Sequence, residues 1–161
     1  MTSRTTRRAW LALAIALPLL PAAALAQATG EPQPILDQEP LTIETATGPV
    51  SFLVEMARSP AEQSRGLMFR TVVPPGTGML FVHDRPRPVS MWMRNTPTPL
   101  DMLFIDQEGT IESIARDTTP FSETVISSQG PVAGVLEILA GEAERLGIAP
   151  GDRVRHPHFG G

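Results

Sequence analysis

Hydrophobic and polar positions alternate along most of the chain with the period of a strand rather than a helix. Leu41, Ile43 and Thr45 alternate with Thr42 and Glu44, and Phe52, Val54 and Met56 with Ser51 and Glu55. The two runs flank Ala46-Thr47-Gly48-Pro49, which predicts a β-hairpin with one buried face. Ser59-Pro60-Ala61-Glu62 then offers an N-cap serine, a proline at the first helical position and a glutamate three residues after the cap. That series predicts a short helix ending near Gly66 or Met68, with Arg65 in its last turn. Met79-Leu80-Phe81-Val82 is a continuous apolar run, short enough for a strand buried on both faces. His83 to Pro88, with its prolines and charges, reads as a loop.

Further along, Val89 to Arg94 and Leu100 to Ile105 read as two strands facing each other across a polar corner of Asn95, Thr96 and Pro97-Thr98-Pro99. Gln107-Glu108-Gly109 predicts a second hairpin, from Leu100–Ile105 to Thr110–Ala115. Val125-Ile126, Val132 to Leu139 and Arg153 to Arg155 read as further strands, and Gly141 to Gly147 as a short helix with acids early and Arg145 late. Many short strands with Gly/Pro punctuation predict a mostly β fold. It would be a compact barrel- or sandwich-like domain of short antiparallel strands, with one or two short α-helices.

The N-terminal hydrophobic stretch belongs to a different class. Arg4, Arg7 and Arg8 precede an apolar run from Trp10 to Leu20, followed by Ala24-Leu25-Ala26. This tripartite pattern predicts a secretory signal peptide over residues 1–26, cleaved before Gln27, with Arg7-Arg8 allowing a twin-arginine route. The run is too short and too proline-broken for a span, so no membrane span is expected after cleavage. The expected location is periplasmic or secreted. Residues 27–40 read as a flexible linker, 41–155 as a single β-rich domain and 156–161 as a tail. Residues 34–36 are read as able to dock at a sheet edge.

Composition narrows the chemistry. The leader carries three of the 13 basic residues and no acid, leaving ten against 17 acids and a balance of −7. An acidic chain of this kind is a poor partner for nucleic acid. There is no Cys, Tyr or Lys, which removes disulfides, thiolate chemistry and amine catalysis. No phosphate loop, nucleophile elbow or zinc-helix pattern occurs, which argues against an enzyme, and no cofactor is expected.

Several motifs recur in an order that resembles one family. They are Arg65-Gly66-Leu67-Met68-Phe69-Arg70, Gly78-Met79-Leu80-Phe81 and Met91-Trp92-Met93-Arg94-Asn95-Thr96, followed by Pro99-Leu100-Asp101, Phe104-Ile105-Asp106, Val135-Leu136-Glu137 with Gly141, and Gly151-Asp152. From Leu41 to Val154 the chain resembles the bacterial and archaeal domain of unknown function 192. The resemblance implies a small β-rich domain, often exported, and no established activity. Arg94 stands where the family pattern leads one to expect lysine, which changes the geometry open to a carboxylate partner.

A candidate ligand pocket is built from Trp92, Arg94, Asn95, Thr96, Asp101 and Glu137, supported by Arg65 and Arg70. A carboxylate within an apolar strand is costly to bury without a partner, and arginine presents the matching fork. The same residues also read as structural ion pairs that only fix strand register. With a pocket, the function would be non-enzymatic binding of a small polar ligand or protein partner by a monomeric accessory module. Two alternatives accompany it: a small hydrolase using Asp101 and Glu137, and periplasmic Cu(I) handling through Met91, Met93 and His83. The spacing of Met91 and Met93 favours core packing over metal. His156-Pro157-His158 reads as a solvated tail.

Overall fold

The computed structural model describes residues 30–160. The predicted signal peptide, with its predicted cleavage point, therefore lies outside the described residues. The chain forms β1 (Gln38–Thr45), β2 (Gly48–Ala57), α1 (Pro60–Arg65), β3 (Thr77–Arg87), β4 (Ser90–Met91), β5 (Leu100–Ile105), β6 (Ile111–Ala115), β7 (Ile126–Ser127), β8 (Val132–Leu139), α2 (Glu142–Arg145) and β9 (Arg153–Arg155). It is mostly β, as the alternation predicts. Seven strands form one curled half-barrel sheet in the order β6-β5-β8-β3-β2-β1-β9, and β4 pairs with β7 as a separate ribbon. The outer strands of the large sheet meet where Thr110 bridges Arg153.

The hairpin β1–β2 closes at Thr45↔Gly48 and puts Leu41, Ile43, Phe52 and Val54 into the core. The predicted helix start is present. The Ser59 hydroxyl accepts from the Glu62 amide at 3.2 Å, and the Glu62 carboxylate accepts from the Ser59 amide at 2.7 Å. This reciprocal cap is what lets a helix of one and a half turns persist. Gly66 then ends it at φ 47°, a conformation costly for other residues.

Not every strand pair is antiparallel. After α1 the chain crosses over and β3 returns parallel to β2, pairing Leu53 with Thr77 and Ala57 with Phe81. The chain from Pro60 to Gly76 supplies the crossover such a pair requires. The predicted loop His83–Pro88 is mostly strand. β3 continues to Arg87, and its pairing with β8 breaks between Val82 and Arg87, which accommodates Pro86 where no ladder bond is needed. Nor do the segments flanking the polar corner face each other: β4 pairs with β7, while β5 lies between β6 and β8.

The sheet is buried on both sides at its centre. One core holds Leu41, Ile43, Phe52, Leu80, Leu103 and Leu136; the other holds Met79, Phe81, Met93, Met102, Phe104 and Val135. All of β5 is consequently buried, as expected of a continuous apolar run. The second core is completed by Leu67 and Val73, which follow α1, and by Val89 and Met93 on either side of β4.

Both flanks of the predicted domain are docked. The Gln33 side chain donates to the Gly66 carbonyl at 2.9 Å, the Leu36 amide donates to Glu55 at 2.9 Å, and β1 already starts at Gln38. So the described part of the predicted flexible linker is fastened to the sheet. The tail is fastened too: Phe159 is buried against Gly134, where a Cβ would stand 3.0 Å from its ring, and His156 is buried with Nε2 3.0 Å from a Glu39 oxygen.

Candidate binding cleft

On the side of the second core, the sheet is left open by a cleft of about 380 Å³ between α1, the end of β3 and the segment Val89–Trp92, with Glu137 of β8 at its base. Strand register aims Glu137 here. It sits opposite Met79 of β3 and Met102 of β5, and shares their face. Among the described residues its carboxyl has no hydrogen-bond or ion-pair partner. Burial alone pushes its pKa up to about 8, so near neutral pH it is mostly a protonated acid, able to donate a hydrogen bond.

His83 faces the same space. Burial first, and the nearby Arg87 guanidinium second, hold its pKa down at about 4. Its Nδ1 lies 3.4 Å from Arg87 Nη2, and its buried Nε2 has no partner among the described residues. Trp92 is 48% exposed at the rim, with the Arg94 guanidinium 5.8 Å from its ring. Thr96 is buried and also lines the cleft, its hydroxyl donating to the Arg94 carbonyl at 3.2 Å.

The turn that carries these groups is strained. Asn95 (φ 56°), Phe69 (φ 64°) and Phe121 (φ 59°) are all non-glycine residues in the left-handed region. They lie on one hydrogen-bonded seam: the Phe69 amide donates to the Asn95 carbonyl at 2.8 Å, and the Phe121 amide to the Thr96 carbonyl at 3.1 Å. Such backbone costs about 1–3 kcal/mol per residue and concentrates at ligand clamps and active sites.

Of the residues singled out in the sequence, the cleft brings together Trp92, Thr96, Glu137 and Arg65. Arg94 points outward toward Glu123 at 3.6 Å. Asn95 turns its amide toward the Met68 sulfur at 3.9 Å. Arg65 reaches the Glu31 carbonyl and stacks on Phe69. Arg70 pairs with Glu55 at 3.0 Å and holds the Gln33 carbonyl at 3.2 Å, so it anchors the N-terminal arm.

Asp101 is not in the cleft and, among the described residues, pairs with no arginine. It shares the face of Leu103 and Ile105, and β5 pairs it with Ile138, one residue out of phase with Glu137. The two carboxyls therefore lie on opposite faces of the sheet. Asp101 accepts from the Asp117 amide at 2.9 Å and from the Ala143 amide at the start of α2 at 3.0 Å.

Of the methionines proposed for copper, Met93 is buried in the second core, whereas Met91 is only half-buried and lines the cleft beside His83. Among the described residues no group of three or more His, Cys, Asp or Glu side chains is placed to hold a metal ion. The sequence reading left out Arg87, Gln63 and Glu55. Arg87 and Gln63 carry no local signal, because the loop assigned to His83–Pro88 hid the strand that aims Arg87. Glu55 did carry one, being flanked by Val54 and Met56.

The profile of the DUF192 family, described as an uncharacterized ACR, matches residues 42–156. The chain belongs to this family. Two solved structures share the DUF192 fold with it. A protein from Sinorhizobium meliloti, provisionally named a transcription regulator, is 45% identical, covers 76% of this chain and 96% of its own, and superposes with a TM-score of 0.74. A protein of unknown function from Novosphingobium aromaticivorans is 40% identical over 81% of this chain and 96% of its own, with a TM-score of 0.75. No curated protein matches this DUF192 chain.

Proposed function

We propose that the protein is an exported, non-enzymatic module that binds a small polar ligand in the cleft above Glu137. The observation that carries this is a buried carboxyl that has no hydrogen-bond partner among the described residues and opens onto a cavity beside a neutral histidine. Left unmade, such a hydrogen bond costs about 1–3 kcal/mol; a ligand supplies it. A half-exposed tryptophan and a volume within the range of small-molecule sites support the same reading. Export rests on the leader pattern of Arg4 to Ala26.

The alternatives draw less support. A two-carboxylate hydrolase needs both acids across one bond, whereas Asp101 and Glu137 occupy opposite faces. Copper handling has Met91, Met68 and His83 at the cleft but loses Met93 to the core. A transcriptional role, as in the provisional name of the Sinorhizobium relative, sits poorly with a charge balance of −7 outside the leader.

The test is a thermal-shift screen of sugars, small acids and Cu(I). Compounds that raise the melting temperature should lose their effect in Glu137→Leu and Trp92→Ala. They should keep it in Asp101→Ala, which melts lower because two backbone amides lose their acceptor. Stabilisation that survives both cleft substitutions would overturn the assignment.

A further inference from the structure

We infer that the cleft selects an organic carboxylate with an apolar stem, the head meeting Arg85 and Arg87 and the stem lying along Met91 and Trp92. The inference rests on the cleft being a binding site and names the chemistry of its occupant.

The cleft has a neighbour at His83. A second cavity, also about 380 Å³, shares Pro60, Gln63, His83 and Arg87 with it, so the two lie side by side at these side chains. Their linings differ. The first is floored by Leu67, Phe81, Val89 and Met91 and rimmed by Trp92. The second is lined by Arg58, Arg85 and Arg87 against a single acid, Asp84. An apolar trough beside a basic mouth fits an amphipathic anion.

The arginines at the mouth are not equivalent. Arg58 is engaged by Glu39. Among the described residues, Arg85 and Arg87 have no carboxylate within ion-pair distance, so their charge is available. Arg87 is oriented by the neutral His83 ring at 3.4 Å, which leaves most of its planar fork free for the paired oxygens of a carboxylate. Inside the trough the only acid is Glu137, and with its proton on it adds no negative charge. The adjoining cavities are thus locally positive on a chain that is acidic as a whole. An amine would meet Arg65 and Arg87 with no ionised partner in the trough; a carboxylate meets Arg85 and Arg87 at the mouth.

The experiment titrates the full chain with octanoate, 1-octanol and octylammonium, reading the Trp92 indole and His83 ring signals by NMR and the affinity by calorimetry. Octanoate should shift both signals and bind about tenfold or more tightly than 1-octanol, with an affinity that falls as salt rises. The double variant Arg85→Gln, Arg87→Gln should lose that advantage while binding 1-octanol as before. Equal or tighter binding of 1-octanol or octylammonium, or octanoate affinity unchanged in the double variant, overturns the carboxylate inference. The cleft itself would then still stand, because Trp92 responds. Silence toward all three probes also overturns the inference, and the Glu137→Leu thermal-shift response separately decides the cleft.

Discussion

At Glu137 the cost of burial becomes measurable as a pH effect. Its folded pKa is about 8, against 4.5 for the free group. Between those values the folded state holds a proton that the unfolded state has released, so stability falls as pH rises and levels off above about 8. His83 works the other way. Its pKa drops from 6.5 to about 4, so over that interval the unfolded state takes up the proton and stability climbs with pH. The two oppose each other below about 6.5 and leave Glu137 alone above it. Melting temperature should therefore decline from pH 6.5 to 8 in the wild type, and Glu137→Gln should flatten that decline and melt higher at pH 8. Parallel curves for the two proteins would show that the carboxyl is solvated rather than buried.

Among the elements, the N-terminal arm carries the sharpest test. Arg70 and Glu55 are 14% and 8% exposed and close an ion pair at 3.0 Å. Around this pair the Leu36 amide and the Gln33 carbonyl are fastened, and the Met56 amide binds the Asp37 carbonyl at 2.9 Å. Arg70→Ala removes the ion-pair partner of the buried Glu55, which should cost about 3 kcal/mol. It should also speed hydrogen exchange at Leu36 and Met56 more than at β8. A lower melting temperature with unchanged exchange in the arm would mean that Gln33 holds it unaided. The elements whose signals are local were readable in the sequence: the capping box of Ser59 and Glu62, the Gly109 turn between β5 and β6, and the doubly buried run at Met79–Phe81. What depends on pairing was not. Nothing within Leu100–Ile105 or Val132–Leu139 says that Asp101 meets Ile138 rather than Glu137, and that one-residue offset decides whether two acids share a site. The parallel return of β3 and the aim of Arg87 were hidden for the same reason. Trp92 and Glu137 stand out in the sequence because an aromatic or acidic group within an apolar run is visible without knowing its neighbour, and Thr96 because it belongs to the polar corner.

For the molecule as a whole, the proposed export predicts a processed chain. N-terminal sequencing of the protein from a periplasmic fraction should begin at or next to Gln27, and a retained Met1 would refute cleavage. Chain order matters to such a journey. The outermost partner of β1 is β9, with Thr42 against Arg155, and Glu44 grips Arg155 across 111 positions at 2.9 and 3.0 Å. The first strand of the sheet thus waits for the last. Until Arg155 has left the ribosome, β1 exposes an unpaired rim, and the bridge from Thr110 to Arg153 has no second half. A nascent chain truncated before Arg153 would carry that rim as a template for pairing with other chains. Synthesis to the end is therefore what gives β1 a partner on both of its edges.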